Sequence, residues 1–259
     1  MRVALTRAVP PSIDRCELTH RQREPIDYRR AVDEHAAYEE ALRRAGCRVE
    51  RLPDLPDSPD SVFVEDTAVV VDRVAVMARP GAPSRRTEVE TAAAALAQYR
   101  PLAWIQPPGT LDGGDVIVTP GRVFAGISGR TNPDGARQLA TLLAPHGFEV
   151  IGVPITGCLH LKSAAVWLPG RDGASGSILL NPQWVDARAF SGFDVIEIDP
   201  AEPDAANVVA IGACVICADA HPATRRRLEA YGVLTLSVPA GELAKAEGGL
   251  TCGSIVLKA

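Results

Sequence analysis

Six residues of chemically useful type stand at or beside the start of apolar runs: Glu65, Asp66, Asp112, Asp115, His160 and Cys252. A thiol needs a base or an electropositive setting to become a thiolate, because its free pKa is about 8.5. A histidine suits that task and can later protonate a leaving group. A carboxylate can fix the imidazole tautomer, which completes the nucleophile, base and orienter of a catalytic triad. The remaining carboxylates are then in excess. They would raise the thiol's pKa unless the substrate brought compensating positive charge. Such a set calls for a cationic substrate, and a planar guanidinium matches paired carboxylates in shape.

Blander readings compete at each position. A single cysteine in an apolar stretch is more often a small buried hydrophobe than a nucleophile. "LDGGDV" (111–116) also reads as a turn with glycines at positive φ, and "GRTNPDG" around Arg130 as a solvated helix start. "CVIC" (214–217) lies in an apolar run with no second pair, so Cys214 and Cys217 read as core. "CLH" (158–160) lacks a compact second ligand pair, which disfavours zinc. His20, His35, His146 and His221 fall in helix or turn contexts and read as surface residues.

The elements that must carry these residues alternate short apolar runs with helical patterns. "RVALTRAV" and "RVERLP" read as strands around an amphipathic helix from Asp27 to Arg44, with Val32, Ala36 and Leu42 near one face and Gly46 as its stop. "SVFVEDTAVVVDRVAVMA" reads as two strands turning at Asp72-Arg73, followed by a helix that Ser84 caps and that runs to about Tyr99. A second pair turns at Pro120-Gly121 and precedes the helix "NPDGARQLATLLAPHG". Two further pairs follow, the last with the helix "HPATRRRLEAYG". Leu18, Asp66, Asp112, His160, Asn207 and Cys252 succeed one another at intervals of 45 to 48 residues. That period belongs to repeat architectures, and helices within each unit exclude an all-β blade. The spacing therefore predicts five strand-strand-helix-strand modules around a pseudo-fivefold axis, an α/β propeller with residues 1–259 as one catalytic domain. Cys252 would open the central strand of the fifth and last module.

Composition narrows the function classes. The 259 residues are 46% apolar and 23% charged, which is ordinary for a soluble globular chain. A net charge of −5 without any basic block argues against nucleic acid as a partner. No stretch approaches 18 uncharged apolar residues, so no membrane span is expected. The N-terminal "MRVALTRAVPPS" lacks the apolar core of a signal peptide, and six scattered cysteines then read as free thiols in a reducing cytoplasm.

"PDSVFVED" (59–66), "RPGAPSRR" (79–86), "GTLDGGDV" (109–116), "GRTN" (129–132), "LHLKS" (159–163), "DAAN" (204–207) and "GGLTCGS" (248–254) occur in an order and spacing that resembles the dimethylarginine dimethylaminohydrolase family. The likeness runs from about Leu18 to Leu257. It implies the five-bladed α/β propeller of the guanidine-modifying enzymes, and hydrolysis of Nω-methylated arginines to citrulline and a methylamine without a cofactor. By motif, Cys252 is the nucleophile, His160 the general acid and then base, and Asp112 its orienter. Some bacterial relatives carry glutamate at this last position. The resemblance gives Glu65 and Asp66 the guanidinium, and Asp60, Arg85 and Arg130 the α-amino and α-carboxylate groups. Leu18 and the Ala246 carbonyl would close the pocket. A homodimer is compatible with such a propeller.

One departure bears on specificity. Arginine and agmatine deiminases of the superfamily show H-x-D, whose aspartate binds an unmethylated terminal nitrogen, whereas this chain has His160-Leu161-Lys162. Losing that acceptor favours a methylated nitrogen. A deiminase or amidinotransferase is the alternative enzyme reading, and a binding protein that has lost its chemistry is the non-enzyme one. Retention of nucleophile, base and acid disfavours the latter.

Overall fold

One unit recurs along the chain: an inner strand, a tight turn, an antiparallel middle strand, a helical crossover and an outer strand parallel to the middle one. The computed structural model describes residues 1–170 and 175–259. β1 (Arg2–Thr6) crosses through α1 (Tyr28–Arg44) to parallel β2 (Cys47–Arg51). β3 (Ala68–Val70) and β4 (Ala75–Met77) form the next hairpin, and α2 (Glu88–Leu96) leads to β5 (Leu102–Trp104). β6 (Val116–Val118), β7 (Arg122–Ile127), α3 (Pro133–Leu143) and β8 (Glu149–Pro154) repeat the order. A one-turn helix, α4 (Leu161–Ala164), precedes β9 (Ala165–Pro169), which pairs with β10 (Gly176–Leu180), and β11 (Asp194–Glu197) follows. β12 (Val209–Ile211), β13 (Cys214–Ala218), α5 (Pro222–Ala230) and β14 (Leu234–Val238) complete the series. After the short helix α6 (Gly241–Ala244), β15 (Ile255–Lys258) returns to pair antiparallel with β1, Val3 facing Leu257.

The result is five three-stranded sheets among the described residues, in the α/β propeller arrangement that the repeat spacing predicts. Strand alternation builds the ring. Ala75 and Met77 point into a core shared with Val3, Leu5 and Leu257, while Val76 between them points into the next core with Leu111, Val123 and Leu139. Successive side chains of a strand face opposite ways, so each middle strand serves two neighbouring interfaces. The last interface packs Val209, Ile211 and Ile216 against Ala4, Tyr38 and Leu42, joining the final sheet to the first.

Several expectations need correction. Cys252 does not open a fifth self-contained module; its strand completes the sheet of β1 and β2, a unit made from both ends of the chain. Leu18 heads no strand but sits on the loop after β1. The fourth unit crosses over through a single 3-10 turn, Ala187–Phe190, instead of an α-helix. Ser84 caps no helix, because its hydroxyl donates to Glu17 Oε1 and the α-helix begins only at Glu88. On α1, Val32 and Ala36 are exposed, and the buried face carries Ala31, Glu34, His35, Tyr38 and Glu39. Hydropathy hides that face because two of its buried carboxylates are engaged by partners distant in sequence. Glu39 accepts from Thr6 and Arg51, and Glu34 accepts from the Glu242 amide. His35 is therefore interior, against expectation. Cys214 is only half-buried at the start of β13.

Candidate active site

Short helical turns precede the inner strands, and they meet at one rim. Val64–Thr67 leads into β3, Gly113–Asp115 into β6, α4 into β9 and Thr251–Gly253 towards β15. The Cys252 turn lies against the Glu65–Asp66 turn, which lies against the Asp112–Asp115 turn, which in turn touches α4 beside His160. Close approach demands glycine there: a Cβ on Gly114 would sit 2.6 Å from Asp66 Oδ1 and 2.8 Å from His160 Nδ1. Its amide instead donates to Asp66 Oδ1 at 3.0 Å. The φ of Gly113 and Gly114 is not positive, so packing and not turn geometry selects them.

His160 is buried with Nε2 3.1 Å from Asp112 Oδ2, and Nδ1 3.8 Å from Asp66 Oδ1. Asp112 is itself fixed by the Gly81 amide on Oδ1, at 2.9 Å, and its own amide donates to Thr131 Oγ1. Asp115 accepts from the Leu161 amide at 3.0 Å and from the Ser128 hydroxyl, which fixes the turn carrying His160. Burial disfavours imidazolium, but Asp66, Asp112 and Asp115 outweigh it and raise His160 to about 9. Burial likewise opposes ionised Asp66, yet His160 and Arg85 hold it at about 2. The thiol experiences the reverse. Burial, then Glu65 and Asp66, push Cys252 up to about 12. The rim thus carries a neutral thiol at Cys252 and an imidazolium at His160, with the Glu65–Asp66 turn touching both neighbourhoods.

The flanking residues divide by whether their polar atoms are already engaged. Arg85 is buried and spends its donors internally, on Asp66 at 2.5 Å, on Glu88 at 2.9 Å and on the Asp60 and Phe63 carbonyls. Arg130 is nearly buried, yet its Nη1 finds no hydrogen-bond acceptor among the described residues; Asp112 Oδ2 is 3.7 Å away. Glu65 takes Lys162 Nζ on Oε1 at 2.7 Å and leaves Oε2 buried without a partner among the described residues. Asp60 is buried and accepts the Glu17 amide. Leu18 and Ala246 pack in one apolar cluster with Phe63 and Cys252. The structure thus gathers all ten expected site residues around one rim.

Comparison with known proteins agrees. The family described as N,N dimethylarginine dimethylhydrolase, eukaryotic, matches residues 10–164, more than half of the chain. A Streptomyces coelicolor N(G),N(G)-dimethylarginine dimethylaminohydrolase is 37% identical over 98% of this chain and 96% of its own. The chain belongs to the dimethylarginine dimethylaminohydrolase family. Among solved dimethylarginine dimethylaminohydrolases, a Pseudomonas aeruginosa cysteine-to-serine variant complexed with citrulline superposes at a TM-score of 0.92 with 32% identity, covering 98% of both chains. A histidine-to-glycine variant, an adduct with S-methyl-L-thiocitrulline, gives the same TM-score and identity over 99% of this chain and 100% of its own.

Sequence reasoning missed several residues that this dimethylarginine dimethylaminohydrolase family member uses to build its site. Glu88 buries itself against Arg85 three residues away, and nothing but that spacing pointed to it. Glu247, at φ 56°, lends its carboxylate to the amides of Thr19, His20 and Arg21 and so fastens the loop that carries Leu18. Glu247 and that loop are more than 220 residues apart in sequence, and no local pattern links them. Gly248 and Gly249 are selected by packing, since Cβ atoms there would lie 2.1 Å from Phe63 and from Asn207.

Proposed function

We propose that this chain hydrolyses Nω-methylated arginines to citrulline and dimethylamine or methylamine, with Cys252 as nucleophile and His160 as general acid and base. The observation that carries this reading is the convergence of a buried thiol, an imidazolium and an excess of carboxylates, Glu65 and Asp66, at one rim. Those carboxylates oppose thiolate formation until a guanidinium arrives to neutralise them. In this reading Glu65 and Asp66 accept its N–H groups and Arg130 receives the α-carboxylate, supported by Glu65 Oε2 and Arg130 Nη1 being buried without hydrogen-bond partners among the described residues. Asp60 and the Ala246 carbonyl take the α-amino group, and Leu18 covers the pocket. Arg85 contributes by holding Asp66 in place.

Binding of the cation lowers the thiol's pKa, and its proton leaves to solvent. The Cys252 thiolate attacks the guanidinium carbon and gives a tetrahedral adduct. His160, its Nε2 held by Asp112, passes a proton from Nδ1 to the dimethylated nitrogen, so that neutral dimethylamine departs and a covalent thiouronium remains. Neutral His160 then takes a proton from water as the oxygen adds to the same carbon. Collapse expels the thiolate, which takes up the hydroxyl proton of the adduct, and leaves the neutral ureido group of citrulline with Cys252 again a thiol and His160 an imidazolium. No step calls for a metal. Incubation with asymmetric dimethylarginine, monomethylarginine, arginine and agmatine, with assays for citrulline, methylamines and ammonia, tests the reading. Methylamine with citrulline is the expected outcome; ammonia from arginine as the main product would replace it with a deiminase.

A further inference from the structure

Asn207 occupies the fifth rim position, on the turn that precedes β12, and no step above uses it. Its side chain faces the nucleophile. Oδ1 accepts the Thr251 amide at 2.9 Å, and Nδ2 is directed at Cys252 Sγ from 3.9 Å. The Gly249 amide approaches the same sulfur at 3.4 Å. Asn207 and Gly249 are packed so closely that a Cβ on Gly249 would fall 2.1 Å from Asn207 Cγ. One amide side chain therefore spans the turn that holds the thiol and touches it at two points.

The charged and titratable groups around Cys252 make donors at the sulfur valuable. The turn before β3 presents Glu65, paired with Lys162, and Asp66, paired with Arg85; α1 presents the Tyr38 hydroxyl, bonded to Ser254. The Thr251 hydroxyl lies 4.0 Å from the sulfur. The two carboxylates disfavour a thiolate, whereas neutral N–H donors favour it without competing for the substrate's charge. A neutral thiol is a weak acceptor, and the same contact becomes charge-assisted once sulfur ionises.

We propose that Asn207 is a positioning residue for the nucleophile: its amide N–H stabilises the Cys252 thiolate while its carbonyl pins the Thr251 amide, so that Gly249 and Asn207 present a pair of donors to the sulfur. The proposal rests on the reading of Cys252 as the nucleophile. Asn207→Asp keeps the acceptor for Thr251 and removes the donor; Asn207→Ala removes both. The experiment follows the pH dependence of Cys252 carbamidomethylation by iodoacetamide, read by mass spectrometry of the peptide that contains it, together with kcat and KM for asymmetric dimethylarginine.

Both variants are expected to alkylate Cys252 about tenfold more slowly near neutral pH, with profiles displaced to higher pH, as befits a lost charge-assisted bond. Asn207→Asp moves further because it adds negative charge. In both, kcat falls by about tenfold while KM stays within about threefold. An unchanged alkylation profile in either folded variant overturns the proposal. So does a rise in KM alone, which would mark Asn207 as a substrate contact. Cys252→Ser serves as the control: turnover there would sink the nucleophile reading, while the alkylation profiles still report whether Asn207 acts on that sulfur.

Discussion

At the scale of single residues, the site works through opposed shifts. A thiol raised to about 12 and a histidine raised to about 9 suit a resting state that waits for a cation. Cys252→Ser is expected to abolish citrulline formation with an unchanged circular dichroism spectrum; normal turnover would remove the thiol from the mechanism. His160→Gly should keep the fold and the thiol's reactivity yet lose amine release, measured as absent dimethylamine. Arg130→Ala should raise KM for methylated arginines by about tenfold to a hundredfold, the range for a charge-assisted bond to a carboxylate. Simple methylguanidines, which lack that carboxylate, should be unaffected. Equal losses on both substrates would show that Arg130 does not grip the carboxylate.

At the scale of elements, the chemistry depends on short turns held against one another at backbone contact. Gly114 is the glycine whose added Cβ would meet both Asp66 and His160. Gly114→Ala should displace one of them and lower kcat by about a hundredfold, because misplacement of about 1 Å costs that much. A kcat close to wild type would mean that the turn relaxes without moving the imidazole. The loop that bears Leu18 depends on Glu247, which collects three of its amides. Glu247→Ala should loosen that loop, visible as faster amide hydrogen exchange at residues 19–21 and a higher KM. Unaltered exchange there would place the fastening elsewhere.

At the scale of the molecule, β15 closes the ring by pairing with β1, and the final core packs the fifth sheet on the first. Residues 1–259 are read as one catalytic domain, and a single calorimetric unfolding transition is the expected signature. Stability should also follow the buried histidine of the site. His160 has its pKa raised from 6.5 to about 9, so its contribution is complete below pH 6.5 and disappears as pH rises through 9. Melting temperature should fall across that window, and His160→Gln should flatten the fall. His35 has the opposite sign: lowered to about 4, it contributes above pH 6.5 and is lost as pH falls through 4. No helix among the described residues is long and apolar enough to cross a membrane.

The sequence by itself determined the repeat, the strand pairs and the identity of the chemical groups, because those are local properties. Alternating apolar runs, turn residues such as Gly121 and the period of Asp66, Asp112, His160, Asn207 and Cys252 are all legible in one dimension. Tertiary structure alone decided which side chains remain free. Arg85 and Arg130 look alike as letters, yet one is saturated by Asp66 and Glu88 and the other keeps a buried nitrogen without a hydrogen-bond acceptor among the described residues. The interior place of His35 and the closing sheet made from both chain ends were equally out of reach. Contacts between residues separated by most of the chain leave no periodicity, and only packing in three dimensions resolves them.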